Sequence, residues 1–108
     1  MKLVIAFIRP ESLHKVKHEL FTRGIYSMSV TNILGAGRQK GYTEMYRGVT
    51  TQVQLLKKLR IELGLHDEDV PTALEAITLG ARTGHEGDGV YFVLDVGASK
   101  RIRTDEVL

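Results

Sequence analysis

The chain has no cysteine, so disulfides and thiolate metal sites are excluded, which agrees with a reducing compartment. Charge of one sign is scarce as well: the formal net charge is only +2, short of the basic excess expected of a nucleic-acid binder. Aromatic residues make up 6%, and the central strands lack the aromatic arrangement on which RNA-binding modules stack bases. Long hydrophobic runs are missing. The first apolar run, residues 3–8, is six residues long and ends at Arg9, too short for a secretory signal. No stretch approaches the roughly 20 apolar residues of a membrane-spanning helix. A cytoplasmic location is the resulting expectation. No catalytic motif surrounds Ser12, Ser27, Ser29 or Ser99. A small phosphatase would need a phosphate-cradling loop after the first strand, and Arg9 and Asn32, its nominal candidates, have none between them.

What is present is an ordinary globular composition, 43% hydrophobic and 26% charged, and 108 residues suit one domain. Residues 2–8, KLVIAFI, read as a central strand buried on both faces. Pro10 suits a helix's first turn, Leu13, Val16, Leu20 and Phe21 recur at helical spacing, and Gly24 ends the helix. Residues 26–34 alternate as a half-buried strand. Residues 53–65 read as another, clearest from Leu59 onward. Residues 66–71 then start a second helix under acidic residues, with Val70, Leu74, Ile77 and Ala81 as its buried face. Residues 90–96, VYFVLDV, read as a last buried strand. The order β-α-β, loop, β-α-β fits an α+β, ferredoxin-like βαββαβ sandwich, a four-stranded antiparallel sheet with both helices on one face. The other face needs cover, so an oligomer is expected.

Two glycine clusters carry the chemistry. Gly84-His85-Glu86-Gly87-Asp88-Gly89 can either present consecutive N–H groups to a phosphate or serve as a plain turn, and the spacing favours neither. Gly35-Ala36-Gly37-Arg38 opens a long, glycine-rich, basic loop running to Gly48, but it is no dinucleotide fingerprint, since the third glycine and the following helix are absent. Lys57, Lys58 and Arg60, and then Lys100, Arg101 and Arg103, add cations of the kind an anionic ligand requires. His14 and His18 share a helix face at four-residue spacing. They are the basis of a metal-binding trimer as a minor alternative, although two ligands do not make a site.

GRQKGYTEMYRG at 37–48, TGHEGDGVYFVLDV at 83–96 and RIRT at 101–104, in this order and spacing, resemble the PII signal-transduction family over essentially the whole chain. The resemblance implies a single domain over residues 1–108, with a T-loop at about 37–55 and a C-terminal tail at about 97–108. It also implies a homotrimer that is not an enzyme, holding ATP or ADP, with AMP a further candidate, in clefts between subunits. Mg2+ and 2-oxoglutarate are implied co-ligands. Position by position, Phe7, Gly35, Gly37, Arg38, Gln39, Glu62, Gly87, Asp88, Gly89, Arg101 and Arg103 match the family's nucleotide site. The family more often has an aliphatic residue in place of Phe7. Gln39 matches the Mg2+ ligand, and Gln39 with Lys58 the 2-oxoglutarate site. Gly35 to Gly41 would be a ligand-sensing base, and Tyr42, Tyr46 and Arg47 a partner-binding tip. The expected partner is an ammonium transporter, or a regulator or enzyme of nitrogen assimilation, with membrane contact only through a transporter and no nucleic acid. Three positions depart from the pattern. Thr51 replaces the uridylylated tyrosine, Val49 the phosphorylated serine of some cyanobacterial members, and Val90 a phosphate-facing lysine or arginine. Val90 suggests a blunted preference for ATP. It leaves open a regulator that senses ADP or AMP without 2-oxoglutarate and controls a non-nitrogen transporter or enzyme.

Overall fold

The computed structural model describes residues 1–38 and 53–108, and within these it leaves aside the side chains of residues 37, 38, 53 and 54. The element order is β1 (Lys2–Ile8), α1 (Leu13–Phe21), β2 (Ser29–Arg38), β3 (Val53–Leu65), α2 (Val70–Ala81) and β4 (Gly89–Asp95), with a short 3-10 turn leading into each helix. The sheet order is β2-β3-β1-β4 and every pairing is antiparallel. This is the ferredoxin-like arrangement.

β1 is central, as its apolar run predicts, but it is buried on one face only. Val4, Ala6 and Ile8 lie under the helices, while Leu3, Ile5 and Phe7 on the other face are half-buried. The helices form one layer, and no described element covers the opposite side. β3 follows the predicted alternation, sending Leu59, Ile61, Leu63 and Leu65 into the core opposite Ile8, Ala6, Val4 and Lys2. Val16 and Leu20 of α1 complete that core, and Gly24, at φ 82°, ends the helix. Phe21 falls outside the core and meets Tyr26 edge-on at 5.8 Å.

Three further expectations are corrected. In α2, Val70 and Leu74 reach only the margin of the core, and the buried stripe is Ala73, Ala76, Ile77, Gly80 and Ala81. Small residues let the helices touch: a Cβ on Gly80 would stand 2.5 Å from Val16 Cα. β2 spans Ser29–Arg38 rather than 26–34, because Gly35 to Arg38 continue the ladder opposite Leu56 to Val53, and Tyr26 lies outside it. Finally, β4 is not buried. Among the described strands it pairs only with β1, at the sheet edge, and every residue from Gly89 to Asp95 is exposed. Val90, Phe92 and Leu94 join Leu3, Ile5 and Phe7 in an uncovered apolar face.

Candidate functional site

α2 gives way to extended backbone at Arg82, and a tight turn then leads into β4. Gly84, Gly87 and Gly89 adopt φ of 90°, 91° and 125°, conformations that favour glycine. Gly89 also lacks room, since a Cβ there would lie 2.0 Å from the Phe7 carbonyl oxygen. The Asp88 carboxylate closes the turn on itself. It accepts from the Thr83 hydroxyl, from Thr83 N at 2.7 Å and from Gly84 N at 2.9 Å. The Thr83 hydroxyl leads these donors in lowering the Asp88 pKa to about 2, and Arg9 adds a weaker pull.

Two cations from elsewhere in the chain meet this turn. Arg9, just after β1, donates from Nε to Gly87 O at 3.0 Å and from Nη2 to Glu86 O, and its Nη2 lies 3.7 Å from Asp88 Oδ1. Lys58, from β3, donates from Nζ to the same Gly87 O at 3.1 Å. Gly35 on neighbouring β2 leaves room for the lysine, because a Cβ there would press within 3.3 Å of Lys58 Cγ. Lys58 also lines a recess of about 420 Å3 with Pro10, Asn32, Ile33, Leu34 and Lys57. One end of the sheet thus gathers a glycine turn, two cations and an open recess, an arrangement suited to an anion.

A scan against family models matches residues 1–106 to nitrogen regulatory protein P-II. The chain is 47% identical over 106 residues to nitrogen regulatory protein P-II 2 of Methanothermobacter thermautotrophicus, covering 98% of this chain and 92% of that one. It is 46% identical to the P-II protein of Rhizobium etli and 45% identical to P-II 1 of Escherichia coli K12, each over 98% of this chain and 95% of the relative. The chain belongs to the P-II family. This is a family of regulatory proteins rather than enzymes, and its fold is the one described above.

Of the residues matched to the P-II pattern, the fold brings Gly35, Lys58, Gly87, Asp88 and Gly89 to the same end of the sheet. Phe7 stands between Val90 and Arg60 in the ladder and meets Phe92 edge-on at 6.4 Å. Glu62 lies further along β3, opposite Ile5. Gly37 and Arg38 extend β2 opposite Gln54 and Val53. Gln39, Tyr42, Tyr46, Arg47, Val49 and Thr51 lie outside the described residues. Arg101 and Arg103 belong to a tail that begins beyond Asp95, at the far end of β4 from Gly89, about 20 Å along a seven-residue strand. The tail folds on itself. Arg101 donates from Nε to Glu106 Oε1 at 3.0 Å and from its backbone N to Glu106 O at 2.8 Å, and Lys100 bridges to Val107.

Two participants were not legible as such in the sequence. The sequence nominates Arg9 only as a phosphatase candidate, and nothing in it joins Arg9 to the glycine turn. Arg60 was noted merely as a basic neighbour of Lys58; its guanidinium carbon lies 5.8 Å from the Phe7 ring centroid, and its Nε lies 3.0 Å from Glu62 Oε1 as an ion pair rather than an aligned hydrogen bond. Among the described residues, no three histidine, aspartate or glutamate side chains converge on a metal position. Nor does any described helix have the length and apolarity to cross a membrane.

Proposed function

We propose that the chain is a PII-type signal-transduction protein of nitrogen metabolism. It binds ATP and ADP in clefts between the subunits of a homotrimer and regulates a target protein through its T-loop. The observation that carries this reading is the convergence of Arg9 and Lys58 on the glycine turn at Gly87, within a chain of this family. The uncovered face of Leu3, Ile5, Phe7, Val90, Phe92 and Leu94 supports assembly, since monomers rarely leave so much contiguous apolar surface open. The separation of the Gly87 turn from the start of the tail, at opposite ends of β4, supports a site shared between copies.

In this reading the Gly87–Gly89 turn and the tail arginines hold phosphates, and Phe7 and Glu62 line the adenine cleft. A Mg2+ ion would be held by Gln39 and the nucleotide's own phosphates, and the Lys58 ammonium fits a 2-oxoglutarate carboxylate. Arg47 leads contact with a partner such as an ammonium transporter, and the protein works in the cytoplasm. Val90 places no cation beside Phe7, which supports a blunted preference for ATP over ADP or AMP. It also favours the second reading, a regulator that senses ADP or AMP without 2-oxoglutarate. Calorimetric titration of ATP, ADP and AMP, with and without Mg2+ and 2-oxoglutarate, separates the two. Tightening of ATP by 2-oxoglutarate supports the first reading, indifference to it supports the second, and no nucleotide binding at all refutes both. A pull-down with an Arg47→Ala control checks the T-loop role.

A further inference from the structure

The turn before β4 owes its orientation to a residue 78 positions away in sequence. The Arg9 guanidinium draws two successive carbonyls, those of Glu86 and Gly87, toward itself. Among the described residues there are no cis peptide bonds, and in a trans peptide the N–H points opposite to the C=O of the same unit. The N–H groups that share peptide units with these carbonyls, those of Gly87 and Asp88, therefore face away from Arg9. Among the described residues neither has an acceptor. Gly87 lies in the left-handed region at φ 91°, as expected where adjacent N–H groups form an anion-binding nest. Asp88 does not compete for these donors, because its carboxylate is folded back onto Thr83 and Gly84.

We infer that Arg9 is a positioning residue for phosphate. By holding the Glu86 and Gly87 carbonyls inward, it turns the Gly87 and Asp88 N–H groups outward as a preformed pair of donors. This rests on the nucleotide reading for the identity of the anion. Lys58 shares the Gly87 carbonyl, so when Lys58 moves to another anion Arg9 still holds that carbonyl. Packing sets the same geometry, since a Cβ on Gly87 would come 3.0 Å from Arg9 Nη2.

The test compares wild type, Arg9→Met and Arg9→Lys in the intact protein. It measures affinities for ATP, ADP and adenosine, together with the backbone amide NMR signals of Gly87 and Asp88. Arg9→Met is expected to weaken ATP and ADP about tenfold, the low end of what a charge-assisted hydrogen bond supports. Adenosine should stay within about twofold, and Arg9→Lys should restore part of the loss. Without nucleotide, the Gly87 and Asp88 signals should shift in Arg9→Met while those of β1 and β3 keep their positions. Unchanged ATP affinity in Arg9→Met would overturn the inference, as would equal losses of ATP and adenosine in a variant with native strand signals. If wild type binds no nucleotide, the functional reading falls, and the ligand-free spectra still decide the role of Arg9: unmoved Gly87 and Asp88 signals reject it.

Discussion

Replacing Gly80 with alanine sets two effects of known size against each other. The new Cβ would lie 2.5 Å from Val16 Cα, 2.6 Å from Val16 N and 2.8 Å from Val16 Cγ2. Carbon atoms pack at about 3.5–4.0 Å, so α1 and α2 must separate by roughly 1 Å. The obstacle is backbone, which cannot rotate aside as a long side chain could. Overpacking of this kind costs about 1–3 kcal/mol, and a backbone obstacle puts it at the upper end. Against it stands the better helix propensity of alanine, about 1 kcal/mol. The net prediction is a destabilisation of about 1–2 kcal/mol, or a melting temperature about 5–15 °C lower for a domain of this size. Calorimetry at matched protein concentration measures it, with Gly97→Ala as control. A Cβ on Gly97 meets nothing within 4 Å, so that variant should melt within about 0.5 kcal/mol of wild type. A Gly80→Ala protein as stable as wild type would show that the helix pair yields freely and that propensity wins.

The pKa of Asp88 is lowered in the folded turn to about 2 from 3.8, so the stabilisation it gives is complete above about pH 4 and is lost as pH falls toward 2. The Thr83 and Gly84 amide signals should therefore move across that interval, and Thr83→Val should shift the midpoint upward; an unchanged midpoint would show that the hydroxyl is not the leading donor. In the tail, Glu106 holds the Arg101 guanidinium that the functional reading assigns to phosphate. Glu106→Gln should tighten ATP by about two- to fivefold, the range open to an exposed ion pair. Weaker ATP binding in that variant would mean instead that Glu106 presents Arg101 correctly.

The sequence disclosed most where a periodic pattern met a single covering layer. Leu59, Ile61 and Leu63 alternate with Lys58, Arg60 and Glu62, and the sheet obeys that alternation residue by residue. Gly24 likewise ended its helix where expected. The burial of β4 is not legible because an apolar run does not reveal what lies against it; Val90 to Leu94 have the composition of a core strand and lie at an open edge. The buried stripe of α2 is not legible from its large residues, because close helix contact here requires Ala73, Ala76 and Gly80. Gly35 looked like the start of a loop, yet its backbone serves a ladder as well as any other residue's. For the site, Gly87-Asp88-Gly89 announced a special turn through residue type alone. What local sequence could not disclose is that Arg9 and Lys58 share one of its carbonyls, since that contact exists only once β1, β3 and β4 are aligned.

In the proposed function a nucleotide lies between copies, held by the Gly87 turn of one and the tail arginines of another. Complementation tests it directly. Gly87→Val spoils the turn, because a β-branched residue is strained at φ 91°, and a double Arg101→Ala, Arg103→Ala chain spoils the tail. Co-expressed with different tags and purified for assemblies containing both, the two chains should bind ATP more tightly than assemblies of either chain alone, since some clefts then pair an intact turn with an intact tail. Mixed assemblies that bind ATP no better than their parents would contradict a site shared between copies.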